Sequence, residues 1–181
     1  IRIIQEDFKI PVLGVLPYLP FNLGFEDSAS LKNFVQHSKN KKLDIAVIAY
    51  PHMSNYNDFE PLIADEEVFV EFVSSNISLE KFDLVILPGS KLVIKDLLWL
   101  KETGLFEQIQ NYKKDICAIC GGYEMMFNFL DDKYALENEQ PLKEQGFGLI
   151  DEVIVFEKKK IQEKKTYDLF GEKIDGFEIH H

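Results

Sequence analysis

The sequence predicts an α/β protein built on a doubly wound, mostly parallel sheet with helices on both faces. From residue 43 onward, short apolar runs alternate with segments in which apolar residues recur at helical spacing. Of these runs, the one over residues 45–49 is continuously apolar, as a strand buried on both faces requires. Two of them end in glycine-containing turns, Pro88-Gly89-Ser90 and Cys120-Gly121-Gly122. Because sites in doubly wound sheets lie at the carboxyl ends of the strands, we expect these turns to form the functional site.

The first forty residues carry weaker patterns. Three prolines interrupt the apolar run over residues 11–20, which excludes a helix there and suits an edge strand or an extended linker. Apolar residues at helical spacing predict a short helix over residues 28–38. The chain opens on Ile1 and closes on His180-His181, so we expect it to be a piece of a longer protein. The final His pair is either native or the start of a tag.

Strands and helices follow in a regular order after residue 43. Each short apolar run is bounded by polar or turn-forming residues, which predicts a strand. Helical spacing over residues 91–113 predicts two helices divided by Gly104, and the apolar stretch over 123–130 predicts a third helix. The predicted strands cover residues 45–49, 68–73, 83–87, 116–119, 147–156 and a stretch around 167–179.

Cys120 lies between the fourth apolar run and two glycines, the layout of a nucleophile elbow. The glycines keep the turn free of Cβ clashes, so the thiol projects at the carboxyl end of a strand. A helix that starts there points N–H groups at the sulfur and favours the thiolate, the nucleophile of covalent acyl transfer. The alternative is a small core hydrophobe, and we interpret Cys117, which lies inside the strand, in that way.

The two cysteines form a C-x-x-C, which is typical of redox pairs and half zinc sites. The two-residue period of a strand would send Cys117 and Cys120 to opposite faces, and a zinc site would need further ligands. We therefore expect no metal in this chain. We interpret His37 and His52 as surface or loop residues. Two cysteines and the lack of an apolar N-terminal signal segment predict a reducing, cytoplasmic location.

The composition is that of an ordinary globular domain, with 181 residues of which 46% are hydrophobic and 28% charged. A net charge of −11 repels phosphate backbones, so we expect no nucleic-acid partner. No apolar run approaches the roughly 18 residues of a membrane span, so we expect no membrane association. The sequence lacks a G-x-x-x-x-G-K-[ST] motif, so we expect neither ATP nor Mg²⁺ to bind to this chain.

Several segments, taken in order, resemble the cobyric acid synthase family, and in particular its C-terminal class I glutamine amidotransferase domain. Each match is short, but their number and order make the resemblance specific. Ser90 and Lys91 after the Pro-Gly pair distinguish this family from the sister a,c-diamide synthases. The matching segments are residues 11–18, 26–28, 54–62, 83–91, 120–123 and 176–180.

The resemblance implies a flavodoxin-like fold of the class I glutamine amidotransferase type, truncated at its C-terminus. Residues 1–40 would be a linker from an N-terminal synthetase domain, and residues 41–181 an incomplete amidotransferase domain. Cys120 would attack the side-chain amide of glutamine and release ammonia, leaving a glutamyl thioester. Ammonia would then pass to the synthetase domain, which uses ATP and Mg²⁺ to amidate corrin carboxylates in cobalamin biosynthesis.

The resemblance also assigns the rest of the site. The N–H of Gly121 and the loop at Gly89 and Ser90 would supply the oxyanion hole, with Ser90 and Glu124 binding substrate. Related amidotransferases have Gln in place of Glu124, and a carboxylate can accept hydrogen bonds but cannot donate them. The family usually has Gly at the position of Ala118.

The family's catalytic His lies in a G-T-Y-x-H-G segment, which we expect beyond residue 181. Two alternatives stay open: another cysteine hydrolase on a flavodoxin-like sheet, and a degenerate amidotransferase-like module that only binds a partner.

Overall fold

The computed structural model describes residues 2–15 and 41–180, so the predicted helix over 28–38 lies outside the described residues. A helix that the sequence analysis did not predict, α1 (Arg2–Phe8), opens the described part. Residues 11–15 have no regular secondary structure, as the prolines indicate. Among the described residues, no helix combines the length and apolar content that crossing a bilayer would take.

The main sheet has four parallel strands in the order β2-β1-β3-β4. All four strands confirm predictions, with ends that differ by a residue or two. Their bounds are β1 (Leu43–Ile48), β2 (Val68–Val73), β3 (Leu84–Leu87) and β4 (Asp115–Ala118).

Helices connect the strands in two parallel crossovers. A 3₁₀ turn (Tyr56–Phe59) and α2 (Glu60–Ala64) join β1 to β2, while α3 (Val93–Thr103) and α4 (Leu105–Gln110) join β3 to β4. The two connections run toward opposite edges of the sheet, so right-handed crossovers place these helices on opposite faces. The doubly wound, flavodoxin-like fold class predicted from the sequence is therefore confirmed.

Gly104 separates α3 from α4 as predicted. Its φ of 76° is left-handed, a conformation that glycine adopts without steric cost, and its N–H bonds to the carbonyl of Lys101 at 3.2 Å. The two helices then pack their apolar residues against the sheet. The core residues that these helices and the sheet contribute are fully buried; they include Ile45, Val47, Val85, Leu87, Leu97, Leu100 and Ile109.

The predicted helix over residues 123–130 is wrong. Only one turn, α5 (Gly121–Glu124), is helical, and strand β5 (Phe127–Asp132) follows it at once. A short apolar run has no periodicity that separates a buried strand from a helix, and burial of Phe127 and Leu130 is compatible with both.

Strand β5 forms the centre of a second, three-stranded sheet. Strand β6 (Leu142–Gln145) is antiparallel to it and β7 (Ile150–Val155) is parallel to it. The predicted strand over residues 147–156 is therefore confirmed from residue 150 onward. Strand β6 was not predicted, because its sequence is mostly polar.

The last stretch is a hairpin of two antiparallel strands, β8 (Ile161–Leu169) and β9 (Glu172–His180), where the sequence analysis expected strand structure around residues 167–179. The turn falls at Phe170 and Gly171, with φ values of 55° and 87°. Glycine is the usual residue at such angles, whereas Phe170 adopts them with some strain and is almost fully exposed.

A buried carboxylate organises the loop after β5. Asp132 accepts hydrogen bonds from the N–H groups of Leu136, Glu137 and Asn138 at 2.6, 3.0 and 3.2 Å. Burial opposes ionisation of Asp132, but these donors outweigh it and lower its pKa. The loop in turn places Glu137 at the start of α3, where it accepts the N–H of Ile94 at 3.0 Å.

We expect Asp132→Asn to lower the free energy of unfolding by about 1–3 kcal/mol at pH 7. The NH2 group of Asn would replace one of the two carboxylate oxygens that accept N–H bonds. Since the folded-state pKa is lowered, this stabilisation is present above the unfolded value of about 3.9 and is lost as pH falls through the folded value. Urea titrations between pH 3 and 7 measure it. Asp65→Asn, an exposed aspartate that accepts one N–H, is the control and should change little. Equal losses in both variants would contradict the assignment.

Candidate active site

The carboxyl ends of three neighbouring strands meet at one edge of the main sheet. Residues 50–54 lie in the loop after β1, Pro88-Gly89-Ser90 follows β3, and Cys120 is the second residue after β4. The order of the strands reverses direction between β1 and β3, which is the switch point where doubly wound sheets form their sites. The two turns singled out in the sequence are therefore brought together.

Cys120 has the backbone conformation of a sharp strand-to-helix turn. Its φ of 50° and ψ of −119° lie in a region that non-glycine residues rarely occupy. Such strain at a site is retained when the surrounding structure fixes it. The thiol is exposed at the top of the turn, so the geometry matches a nucleophile elbow.

Two glycines let the turn approach the end of β3 closely. A Cβ on Gly122 would overlap the carbonyl oxygen of Leu87 and the backbone of Pro88. A Cβ on Gly121 would lie 2.9 Å from Cγ2 of Val93 and 3.0 Å from the backbone nitrogen of Ser90. The elbow and the Pro88-Gly89-Ser90 loop are thus in direct contact.

The loop after β1 pairs with the loop after β3. The N–H of Ser54 donates to the carbonyl of Gly89 and the N–H of Lys91 donates to the carbonyl of His52, both at 2.9 Å. Because C=O and N–H of a trans peptide point in opposite directions, the N–H of the Gly89–Ser90 peptide points away from Ser54. That nitrogen lies beside Gly121, next to the elbow.

A buried aspartate that the sequence analysis missed connects these loops to α3. Oδ2 of Asp96 accepts the hydroxyl of Ser90 at 2.6 Å, and Oδ1 lies 2.8 Å from Nδ1 of His52. His52 is partly exposed, as expected of a loop residue, but it is also tied to this carboxylate. An aspartate between Ile94 and Leu97 on an apolar helix was the signal that could have revealed it.

Tyr50 is buried beneath these loops, and its hydroxyl donates a hydrogen bond to the carbonyl of Pro88. Burial is the main cause that raises the pKa of Tyr50, and nearby negative charge on Asp96, Cys120 and Glu124 raises it further. Glu124, in the helical turn that follows Cys120, is thus close enough to Tyr50 to affect it. Tyr50 was not predicted as a site residue.

Cys117 differs from its interpretation as a core residue. It is exposed, because β4 is the edge strand of the main sheet and its alternate residues are not covered by the described elements. Both thiols are thus open to reagents. Among residues 2–15 and 41–180, no group of three or more His, Cys, Asp or Glu could hold a metal ion.

Comparisons with known proteins agree with this geometry. Residues 44–181 match the model of the CobB/CobQ-like glutamine amidotransferase domain. The whole chain is 66% identical to a cobyric acid synthase of Acinetobacter baylyi, of which it covers 39%. It is 41% identical to one of Clostridium tetani, covering 36% of that protein, and 38% identical to one of Prochlorococcus marinus, covering 37%.

The chain belongs to the family of CobB/CobQ-like glutamine amidotransferase domains. The resemblance noted in the sequence is therefore confirmed. The chain spans less than two fifths of the length of each of these curated relatives.

We expect Gly122→Ala to lower the free energy of unfolding by at least 2 kcal/mol, because the added methyl group meets backbone atoms that cannot rotate away. Chemical denaturation measures the loss. Gly14→Ala is the matched control, since a Cβ there meets no atom within 4 Å. If the two variants are equally stable, the close approach of the elbow to β3 is not as described.

Proposed function

We propose that this domain hydrolyses glutamine through a thioester on Cys120. The observation that carries the proposal is the elbow: an exposed thiol on a strained turn, with the amide of the Gly89–Ser90 peptide and the start of α5 beside it. Membership in the glutamine amidotransferase family supports glutamine as the substrate.

The chemistry proceeds in two acyl-transfer steps. The sulfur of Cys120 attacks the side-chain amide carbon of glutamine, and the carbonyl oxygen becomes an oxyanion. The proton of the thiol passes to the amide nitrogen, the carbon–nitrogen bond breaks as the carbonyl re-forms, and ammonia leaves. Water attacks the remaining glutamyl thioester, which releases glutamate and restores the thiol.

Two backbone N–H groups are suited to stabilise the oxyanion. Gly121 is the first residue of α5, so its N–H has no acceptor within the helix. The second is the N–H of the Gly89–Ser90 peptide, whose carbonyl is engaged by Ser54. A donor of this kind contributes about 10²–10³-fold to the rate in other enzymes.

Ser90 and Glu124 have different parts in substrate binding. The hydroxyl of Ser90 donates to Asp96 and accepts the N–H of Leu92 at 3.1 Å, so it is largely engaged within the loop. Its main contribution is its backbone N–H. Glu124 lies in the helical turn that follows Cys120, and we expect its carboxylate to accept from the ammonium or amide N–H groups of glutamine.

The longer relatives support a wider role. They are named cobyric acid synthases, and this chain covers 36–39% of them. In the whole protein, we expect ammonia to pass to an N-terminal synthetase domain that amidates corrin carboxylates with ATP and Mg²⁺. The domain would thus act as the ammonia source of a ligase in cobalamin biosynthesis.

We expect a diazo-ketone analogue of glutamine to label Cys120 and Cys120→Ala to abolish the labelling. The analogue needs both a pocket for the amino-acid group and a nucleophile at the amide position. Mass spectrometry of tryptic peptides locates the label. Cys117→Ala is the matched control, because Cys117 is an exposed thiol three residues away and its loss should not reduce labelling. Labelling that depends on Cys117 would refute the assignment of the nucleophile.

We expect Glu124→Gln in the full-length protein to lower the KM for glutamine, because an amide adds a donor without changing the size of the side chain. Amidation driven by added ammonium salt should stay nearly unchanged, since it bypasses the glutamine pocket. Steady-state kinetics with each nitrogen source tests this. A parallel shift of both activities would show that Glu124 acts through folding.

A further inference from the structure

The carboxylate of Asp96 contacts two loops of the site and is itself fully buried. Oδ2 accepts the hydroxyl of Ser90 at 2.6 Å. Oδ1 accepts the backbone N–H of His52 at 3.1 Å and lies 2.8 Å from Nδ1 of the same residue. An ionised carboxylate is costly to bury unless such donors satisfy it, so Asp96 and the two loops depend on one another.

We propose that Asp96 is a positioning residue for the oxyanion-binding peptide between Gly89 and Ser90, with His52 as its second point of attachment. The inference rests on the proposed glutaminase function and goes beyond it, because Asp96 has no exposed surface with which to touch glutamine. It acts through the backbone of the two loops.

The hydrogen bonds specify how Asp96 orients the peptide. The bond to the hydroxyl of Ser90 restrains one end of the peptide directly. The bond to the N–H of His52 restrains the loop after β1, whose residue Ser54 holds the carbonyl of Gly89 at the other end. Asp96 therefore restrains the peptide from both sides, so that its N–H faces the elbow.

Helix α3 supplies the rigid support that this role requires. Asp96 lies in the first turn of α3, and its neighbours Leu97 and Leu100 are fully buried in the core. The start of the helix is further held by Glu137, which accepts the N–H of Ile94. A catalytic dipole is effective only when it needs no reorganisation as charge develops, and attachment to a packed helix provides that.

The test compares Asp96→Asn with the unaltered full-length protein. An Asn side chain keeps the volume but removes the charge and one of the two acceptor oxygens, so it cannot accept from both Ser90 and His52 as Asp96 does. We expect kcat for glutamine hydrolysis to fall by on the order of 10–10²-fold, less than the loss of a whole oxyanion donor. The KM for glutamine should change by less than about threefold, because the amino-acid end of the substrate binds elsewhere.

Two probes separate positioning from general damage. A glutamine-derived aldehyde adds the Cys120 thiol across its carbonyl, and the resulting hemithioacetal oxygen occupies the oxyanion hole without any group leaving. Its affinity should weaken in Asp96→Asn by about the same factor as kcat. Alkylation of Cys120 by iodoacetamide develops no oxyanion, so its rate should be unchanged.

Tyr112→Phe is the control, since it also removes one hydrogen bond, from the Tyr112 hydroxyl to the carbonyl of Phe82 at 2.8 Å, but at the opposite end of β3 from the site. It should lose stability and keep kcat. If Asp96→Asn does not fold, Ser90→Ala removes one of the same links and should lower kcat and aldehyde affinity together. If Asp96→Asn folds, the double variant Asp96→Asn/Ser90→Ala should have the same kcat as Asp96→Asn alone, because both changes act through one peptide.

The outcomes are distinguishable. If the unaltered protein hydrolyses glutamine and Asp96→Asn keeps the same kcat and aldehyde affinity, this inference alone is wrong. The same follows if kcat falls equally in Tyr112→Phe, or if iodoacetamide alkylation slows in parallel with kcat. If the unaltered protein is alkylated at Cys120 but hydrolyses no glutamine, the proposed function is wrong, and the inference that rests on it is wrong as well.

Discussion

The contact between the elbow and the end of β3 is the constraint on which the site depends. Gly122 lies so close to the carbonyl of Leu87 that no side chain fits between them. The N–H of Ile119 donates to the same carbonyl at 2.9 Å, so β4 continues to pair with β3 up to the turn. This pairing forces the chain to reverse sharply at Cys120, which accounts for its strained φ and for the projection of the thiol. The Cys120 thiol is therefore positioned by the sheet and by the absence of two side chains.

The sequence predicts the parts of the structure whose patterns are local and strong. Short, mostly apolar runs predict all four strands of the main sheet, and Gly104 predicts the break between α3 and α4. The elbow and the Pro88-Gly89-Ser90 loop are predicted because each combines a strand end with turn-forming residues. Their proximity follows from the parallel order of the strands, since all carboxyl ends then meet at one edge.

The parts that the sequence does not predict depend on contacts distant along the chain. Residues 127–130 are apolar enough for a helix, and only pairing with β6 and β7 makes them a strand. Cys117 is exposed because β4 is an edge strand, which depends on the topology of the sheet rather than on its own neighbours. Asp96 differs from its apolar neighbours on the helix, but its partners Ser90 and His52 lie on two different loops that the sequence does not connect with it. Hydrogen bonds of that kind have no periodicity that a sequence pattern could reveal.

The shortness of α5 changes how charge is stabilised at the thiol. A long helix would add its dipole to the N–H groups of its first turn, but α5 ends after four residues. Most of the electrostatic support must then come from individual peptide groups, and their orientation becomes correspondingly more important. The Gly89–Ser90 peptide is restrained by bonds to the loop after β1 and to Asp96 on a helix packed in the core. Under the proposed mechanism, the short helix at Cys120 and the heavily bonded loop opposite it are thus complementary: the fixed loop would provide the preorganised charge stabilisation that the helix is too short to supply.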